Sequence, residues 1–434
     1  MILIYSEEIG PRLSYIAYEL LERRCGIEFK LSDKLDYYLN FSGPRINYSL
    51  NQSLPGFQIG PVGLLSSKTK PNQKLDILQN IHENPPVLFP SKGPLAVDIL
   101  SEAFYHLSRW EEYEAVDLDK YGRFQAEYST LHKFELLDYP VIELELEHLK
   151  EALRKLYPDI SFGTRNYRYI PSVDIDNAYA YLHKSQQRGI ASTAKDLLKL
   201  NFANLKRRVR VLRGKQNDPY DTYKLLDEAH ASCRERPYYF FLLADEGKYD
   251  RNLSFDQPAM QSLLNDVASK AYIGLHPGMG SNKDYSKLIS EKERLEKLSG
   301  QECLRSRQHY LYLRFPETYR ALIKAGIKED YSMGYASQTG FRAGTCLPFY
   351  FYDILEERQT ELLVYPFAFM DATLHLYLGL EKDEALIKVK ELVGRIKSVN
   401  GICISLWHNE TLGGIWHWEA WESAYSDIVQ ICNE

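Results

Sequence analysis

Two aspartates and two histidines stand where short apolar runs of this chain come to an end. Asp174 and Asp176 close the run YRYIPSVDID, His276 closes AYIGLH, and His408 closes GICISLWH. Carboxylates spaced one residue apart on a strand point to the same face, because strand side chains alternate with a period of two. One carboxylate can then bind a cation while the other accepts a proton, and a histidine can supply one. These residue types predict a metal-assisted hydrolase.

The runs that carry these residues belong to a repeating pattern of strands and helices. After about residue 166, β-rich runs such as PYYFFLLADE and ELLVYPFAFMD alternate with periodic polar–apolar segments such as QSLLNDVASKA. This alternation predicts a parallel sheet covered by helices, and seven repeats over about 265 residues favour a distorted (β/α)7-type barrel. Active sites of such folds collect at the carboxyl edge of the strands, where the four residues are expected.

The length of the chain predicts two domains. A chain of 434 residues exceeds one ordinary core. Residues 1–165 are expected to form a smaller N-terminal α/β domain, with MILIYS as a strand and RLSYIAYELLERRCG as an amphipathic helix. Residues 166–434 are expected to form the barrel. The role of the first domain does not follow from its residues.

One insertion, at about residues 187–220, interrupts the alternation of strands and helices. Within it, residues 191–213 place apolar side chains at helical spacing, with Lys and Arg on the other face. A basic amphipathic helix can lie on an anionic membrane surface or grip an anionic carrier. The alternative is a solvated helix packed on its own domain, and the sequence leaves both open.

Composition excludes several classes of protein. A net charge of −6 argues against a general nucleic-acid binder. Six scattered cysteines without a CxxC pair indicate neither a zinc ribbon nor a disulfide framework. The N-terminus lacks the layout of a signal peptide, and no apolar window is long enough to span a membrane. The expected location is cytoplasmic.

Three further residues stand at similar positions in the second half. His309 lies in SRQHYLYL, Arg342 in GFRAGT and Asp371 in FAFMDAT. A lone histidine is usually structural, but His276, His309 and His408 all stand near the ends of apolar runs in one domain, which favours a shared site. Opposite charges there could orient a catalytic carboxylate and raise the pKa of a histidine acid.

Seven segments in order along the chain resemble the polysaccharide deacetylase superfamily (carbohydrate esterase family 4, the NodB-homology fold). They are SVDID, GLHPGMGS, SRQHYLYLRFPETY, GIKEDYSMGYA, GFRAGTCLPFYFYD, PFAFMDATL and LWHNE, and they cover most of residues 166–410. The resemblance is to a bacterial branch with an extra N-terminal domain, which residues 1–165, with LSRWEEYE, also resemble.

The resemblance implies a role for each matching residue. Asp174 would be the general base, Arg342 the arginine that positions it, His408 the general acid, and Asp371 the aspartate that tunes that acid. Asp176 and His276 would be ligands of a divalent cation, with zinc the expected ion. The substrate is expected to contact Arg307, Tyr310 and Trp407.

The chain departs from the family pattern at one metal position. The second histidine of the family's metal motif, four residues after His276, is replaced by Gly280. Two protein ligands are one fewer than the three usual for catalytic zinc. Either another group fills the position, with His309 the best candidate, or the metal is weak or absent. His309 could instead contact substrate or orient Asp174.

The resemblance implies a metal-dependent deacetylase acting on a sugar of a cell-surface polysaccharide or its precursor. An N-acetyl group is expected in preference to an O-acetyl group. Because the expected location is cytoplasmic, a lipid-linked or nucleotide-linked glycan is favoured over a finished polymer. The alternative is a catalytically lapsed deacetylase fold that binds a glycan or a protein.

Overall fold

The N-terminal part of the chain contains a small parallel sheet. The computed structural model describes residues 1–66, 69, 78–79, 87–113 and 117–434. The sheet has the order β2-β1-β3-β4, with β1 Ile2–Tyr5, β2 Phe29–Ser32, β3 Arg45–Asn47 and β4 Phe57–Gln58. All four residues of β1 are buried, as expected for an inner strand of a covered parallel sheet. A separate antiparallel pair joins β5 Leu78–Gln79 and β6 Val87–Leu88.

Helices pack around this small sheet. They are α1 Pro11–Ala17, α2 Leu35–Leu39, α3 Ile99–Leu107, α4 Thr130–Lys133 and α5 Val141–Leu156. Helix α1 starts on a proline, whose fixed φ suits the first helical turn. It continues as a π-type turn over Tyr18–Arg24, which ends before Gly26 at φ 61°. The predicted first helix is therefore present.

The second part of the chain is built on a curled sheet that has nine strands in the described residues. Its order is β12-β13-β11-β10-β9-β8-β7-β15-β14. The strands are β7 Arg168–Ile175, β8 Tyr238–Phe241, β9 Tyr272–Leu275, β10 Arg305–Ser306, β11 Glu329–Met333, β12 Phe349–Asp353, β13 Arg358–Pro366, β14 Phe369–Met370 and β15 Ile402–His408. Neighbours are parallel except β12 and β13. The α/β class is confirmed, and the sheet curls into a half-barrel.

Helices connect most of these strands. They are α6 Gln186–Leu198, α7 Phe202–Leu212, α8 Tyr223–His230, α9 Pro258–Lys270, α10 Tyr285–Ser299, α11 Glu317–Lys324, α12 Lys382–Ser398 and α13 Trp421–Asn433. The basic insertion forms two helices, α6 and α7, where one was expected. The break lies at Leu200, with φ 54°, and at Asn201, whose side chain accepts a hydrogen bond from Asn204 N at 3.1 Å and caps α7.

One cluster of buried apolar residues joins the two sheets. It includes Ile4 of the small sheet, Phe104 of α3 and Phe351 of β12. The expected domain boundary near residue 165 stays a prediction. Among the described helices, none combines the length and the apolar character needed to cross a bilayer.

Candidate metal centre and active site

The strand register brings the predicted site residues to one edge of the large sheet. In the parallel pair of β7 and β15, Asp174 lies opposite His408. In the pairs that follow, Phe241 lies opposite Leu275, and Leu275 lies opposite Ser306. Because all these strands run in the same direction, the residues that follow them meet at the carboxyl edge.

Asp176, His276 and His309 form a compact group of metal-type ligands. Asp176 Oδ1 lies 3.0 Å from His276 Nε2, and Asp176 Oδ2 lies 3.3 Å from His309 Nε2. One ligand atom of each residue lies within 4.8 Å of the others. His309, from the segment after β10, could therefore supply the third ligand that Gly280 cannot.

Both ring orientations are fixed by hydrogen bonds at Nδ1. His276 Nδ1 donates to the carbonyl oxygen of Arg307 at 2.5 Å, and His309 Nδ1 donates to Asp250 Oδ1 at 2.9 Å. With the Nδ1 atoms used as donors, the lone pair of each Nε2 is free to face Asp176. Hydrogen bonds of this kind orient histidine ligands in metalloproteins.

The geometry of these three residues fits a cation. Ligand atoms held tetrahedrally at about 2.0–2.1 Å from zinc lie about 3.3 Å from one another, close to the Asp176–histidine distances. Asp176 Oδ1 is also buried without a hydrogen bond to any residue that the structure describes. Such an atom is costly unless a cation or donor meets it. The donor set therefore fits a divalent metal ion.

The charges at this group favour the same conclusion. Burial alone would raise the pKa of Asp176, but the adjacent His309 and His276 rings outweigh burial and hold that pKa well below its usual range. Burial would lower the pKa of His309, whereas Asp176 and Asp250 raise it to about 9. The same two carboxylates, Asp176 and Asp250, would stabilise a cation bound at this group.

Asp250 was not among the residues predicted from the sequence. It lies after β8 in a loop, where it also accepts a hydrogen bond from Met279 N at 3.0 Å. The only sequence signal for it is an aspartate a few residues after the run PYYFFLLADE. That signal is weak because Asp245 and Glu246 stand closer to the end of the strand.

The arginine beside the expected base is Arg307. Its Nη1 donates to Asp174 Oδ1 at 2.8 Å, its Nη2 donates to Ser172 Oγ at 2.8 Å, and its Nε donates to Tyr331 O at 3.0 Å. Arg307 is fully buried. The expectation that Arg307 contacts substrate is corrected, because its buried guanidinium is already committed to these protein acceptors.

Arg342, expected to position the base, has another partner. Its Nε donates to Glu112 Oε1 at 2.8 Å, and its Nη2 bonds to Glu112 Oε2. Its Nη1 donates to Gly334 O at 3.2 Å. Both side chains of the ion pair are almost fully buried. The assignment of Arg342 to Asp174 is therefore corrected: Arg342 holds a carboxylate from the LSRWEEYE segment.

His408 and Asp371 lie together as expected. His408 Nδ1 donates to Asp371 Oδ1 at 2.9 Å, and His408 N donates to Asp371 Oδ2 at 2.8 Å. Thr411 Oγ1 also donates to Asp371 Oδ2, at 2.7 Å. Burial would lower the pKa of His408, but the Asp371 carboxylate outweighs burial and raises that pKa to about 10. His408 Nε2 lies 3.9 Å from Asp176 Oδ2, so it faces the metal group.

Trp407 does not line this site. Its ring is fully buried and packs against Tyr425, with ring centroids 4.6 Å apart, and against Trp421 of α13. Since side chains alternate along β15, a strand that directs His408 to the site directs Trp407 away from it. The expectation that Trp407 binds substrate is corrected.

Tyr310 belongs to a group of three tyrosines beside the metal ligands. Its ring lies 4.5 Å from that of His309, 5.0 Å from that of Tyr121 and 5.7 Å from that of Tyr249. All three tyrosines are partly exposed. Tyr121 comes from the N-terminal part of the chain, so that part contributes to the surroundings of the site.

A cleft of about 670 Å³ adjoins this group. Tyr121, Tyr249, Asp250 and Gly280 are among its lining residues. A side chain at Gly280 would meet Lys287, whose Cδ and Nζ lie 3.4 Å from the Cβ position. Gly280 therefore lies on the cleft wall beside a lysine.

A family model and a solved structure each match part of the chain. Residues 2–158 match a family model described as a family of unknown function (DUF7033). No curated protein matches the chain. The chain is similar to the crystal structure of a "putative polysaccharide deacetylase" from Mycobacterium smegmatis, at 12% identity over 63% of this chain and 86% of that chain, with a TM-score of 0.41.

Proposed function

We propose that this protein is a metal-dependent hydrolase that removes an N-acetyl group, or in second place an O-acetyl group, from a sugar of a cell-surface polysaccharide or its precursor. One observation carries the proposal: the ligand atoms of Asp176, His276 and His309 lie within 4.8 Å of one another. Two proton-transfer groups flank them, Asp174 with Oδ2 3.7 Å from His276 Nε2, and His408 with Nε2 3.9 Å from Asp176 Oδ2.

Asp176, His276 and His309 would hold the cation, with zinc favoured by the two imidazoles and one carboxylate. When bound, such an ion polarises a carbonyl and lowers the pKa of a water molecule. Asp174 accepts the proton of the attacking water. The guanidinium of Arg307, 2.8 Å from Asp174 Oδ1, orients this carboxylate.

His408 supplies the proton that the leaving nitrogen needs. Its Nδ1 is bonded to Asp371, so the proton that it can give away is on Nε2, which faces the metal group. Asp371 is fully buried and also accepts hydrogen bonds from His408 N and Thr411 Oγ1. These bonds fix the acid at the site.

The surroundings suit a sugar. The partly exposed ring of Tyr310 lies next to His309, with the rings of Tyr121 and Tyr249 beside it, and aromatic faces stack on the apolar faces of sugar rings. The adjoining cleft of about 670 Å³ falls within the range of sites for small molecules. We therefore place the glycan along these tyrosines, with its acetyl group at the metal ligands.

The test is metal analysis of the purified protein, followed by acetate release from N-acetylated and O-acetylated sugar oligomers with and without a chelator. We expect about one divalent ion per chain and chelator-sensitive release. His309→Ala should lose the ion. His408→Ala should keep the ion and lose turnover. His417→Ala, at an exposed histidine, is the matched control and should change neither.

Two results would contradict the proposal in different ways. Full metal occupancy in His309→Ala would remove His309 from the ligand set. A bound ion without acetate release from any acetylated sugar, together with retained glycan binding, would establish the alternative of a lapsed fold that binds glycans.

A further inference from the structure

Positive charge is concentrated in one short stretch of this acidic protein. Residues 186–215 contain nine Lys and Arg and one Asp, a net charge of +8. The whole chain carries −6, so the rest of it carries −14. This stretch forms helices α6 and α7 and the turn between them, called here the basic hairpin.

Most of these cations are exposed and available. The exposed ones are Lys195, Lys199, Lys206, Arg210, Arg213 and Lys215. Among the residues that the structure describes, none of the six has a carboxylate within 4.0 Å, whereas Arg208 is paired with Asp196 at 2.8 Å inside the hairpin. An anionic partner would therefore meet six uncompensated positive charges.

The two helices of the basic hairpin are held together by polar groups rather than by an interface of apolar side chains. Arg208 Nη1 donates to Ser192 Oγ at 2.7 Å, and Asn204 Nδ2 donates to Asp196 Oδ2 at 2.8 Å. Asn204 also bonds to the hydroxyl of Tyr181. In α7 the buried residues are Asn204, Arg208 and Val211, and α6 has no buried residue at all. Two helices that pack in water normally bury their apolar stripes against each other.

Large apolar side chains point outward instead. Leu198 is 86% exposed, Leu200 71% and Phe202 63%. Four further apolar residues of this region are also exposed: Ile190, Leu197, Val209 and Leu212. Seven large apolar side chains exposed within some twenty residues, interspersed with cations, are unusual on a chain surrounded by water. They are typical of helices that lie at the boundary between lipid headgroups and acyl chains.

We propose that the basic hairpin docks on the surface of an anionic lipid bilayer. The exposed Leu and Phe side chains enter the headgroup region, and the six exposed cations attract the anionic lipids. A nucleic acid would bind through the same cations, but it would leave the exposed side chains of Leu198, Leu200 and Phe202 in water. The apolar residues therefore favour a membrane as the occupant.

The hairpin is tied to the same edge of the sheet as the metal ligands. It follows β7 by ten residues, and Asp218 beyond it accepts hydrogen bonds from the backbone N of Ala180 and Tyr181, both at 2.8 Å. Arg188 Nη1 donates to Asn252 O at 2.7 Å, two residues from Asp250. Docking would thus hold this edge near the lipid surface, where a lipid-linked glycan would be presented. The docking itself does not depend on the proposed hydrolase activity.

The experiment is co-sedimentation of the full chain with vesicles of phosphatidylcholine alone, or of three parts phosphatidylcholine to one part phosphatidylglycerol. We expect binding to the anionic vesicles only, weakening as salt is added. The triple variant Lys206→Gln/Arg210→Gln/Arg213→Gln should bind about 100-fold more weakly, from roughly fivefold per cation. Its matched control is Lys133→Gln/Lys297→Gln/Lys390→Gln, at exposed lysines elsewhere, which should bind as the wild type does.

A second pair of variants tests the apolar contribution. Leu198→Ser/Phe202→Ser should weaken binding by at least about tenfold, because both side chains would leave the lipid. Leu50→Ser/Leu355→Ser removes apolar residues that are 75% and 61% exposed elsewhere, and should change nothing. Since all four residues are exposed, each variant should keep the circular dichroism spectrum and unfolding temperature of the wild type.

Three results would overturn the proposal. The first is failure of the wild-type protein to bind anionic vesicles. The second is binding of single-stranded RNA that Leu198→Ser/Phe202→Ser leaves intact, together with vesicle binding that is as strong in Leu198→Ser/Phe202→Ser and in Lys206→Gln/Arg210→Gln/Arg213→Gln as in the wild type. The third is a wild-type protein that does not bind vesicles and forms a dimer in analytical ultracentrifugation, where Leu198→Ser/Phe202→Ser is a monomer.

Discussion

The side chains of His309 and Asp250 form a buried hydrogen bond, in which the ring Nδ1 donates to the carboxylate at 2.9 Å. This bond determines which nitrogen of His309 faces Asp176. Burial would raise the pKa of Asp250, but His309 and the backbone N–H of Met279 outweigh burial and lower it, so the carboxylate stays ionised and can only accept. Asp250 therefore leaves Nε2 as the ring nitrogen of His309 that would bind a cation beside Asp176.

Removing this carboxylate should weaken metal binding. We expect Asp250→Ala to raise the dissociation constant of the ion about 10–100-fold, the usual cost of losing a residue that orients a ligand. Asp250→Asn should cost less, because its amide oxygen can still accept from Nδ1. Competition with a chelating dye measures both. Asp245→Ala, in the same loop but paired with Arg294 at 2.7 Å, is the control and should bind metal normally.

The base and the ligand aspartate should separate in function. Asp174→Asn should lower acetate release by about 10²–10⁴-fold, the usual contribution of a general base, and leave metal content unchanged. Asp176→Asn should lose both. Because Asp174 is the carboxylate partner of fully buried Arg307, Asp174→Asn should also lower the free energy of unfolding, by up to about 3–5 kcal/mol. Turnover is therefore compared below the unfolding temperature, and an undiminished rate there would remove Asp174 from the mechanism.

The strand–helix alternation was sufficient to predict the α/β class, and the residues at strand ends were sufficient to predict which side chains meet at one edge of the sheet. Asp174, Asp176, His276 and His408 each follow an apolar run directly, and parallel strands bring such positions to one edge. The curl of the sheet into a half-barrel was not predictable, because it depends on how the edge strands pair. The antiparallel β12–β13 pair at one edge has no local signal.

Partners at long range were the weakest part of the prediction. Arg307 and Arg342 both stand in matched motifs, and only the folded chain distinguishes which of them reaches Asp174. Trp407 was placed at the site because it precedes His408, although adjacent strand residues face opposite sides. Asp250 acts through a contact 59 residues away along the chain, which no spacing rule reports.

The acid should respond to its aspartate through pH. Burial would lower the pKa of His408, but the Asp371 carboxylate outweighs burial and raises that pKa to about 10. Asp371→Asn should therefore lower the pKa of His408. An acid catalyst is active only while it is protonated, so activity falls as pH rises through its pKa. The alkaline limb of the profile of kcat/KM against pH should therefore move to lower pH in Asp371→Asn. A bound cation lowers the pKa of His408 in both proteins and leaves the direction of this shift unchanged.

The matched control for this profile is Asp353→Asn, which removes another fully buried aspartate, paired with Arg320 at 2.6 Å. It should lose stability without moving the alkaline limb. If both variants move the limb equally, the shift reports general loosening of the fold and His408 is not the titrating acid.

Glu112 should be essential to the junction between the two parts of the chain. It accepts hydrogen bonds from Arg342 Nε and from Arg109 Nε, both at 2.8 Å, and all three side chains are almost fully buried. Glu112→Gln removes the carboxylate partner of the buried Arg342 guanidinium, while Arg109 keeps its ion pair with Glu111 at 2.9 Å, and the change should cost about 3–5 kcal/mol of unfolding free energy. Arg342→Met leaves Glu112 its bond to Arg109 and should cost less. Urea unfolding measures both, and Glu127→Gln, at an exposed glutamate, should be neutral. If Glu112→Gln proves as stable as Glu127→Gln, the ion pair does not hold the two parts together.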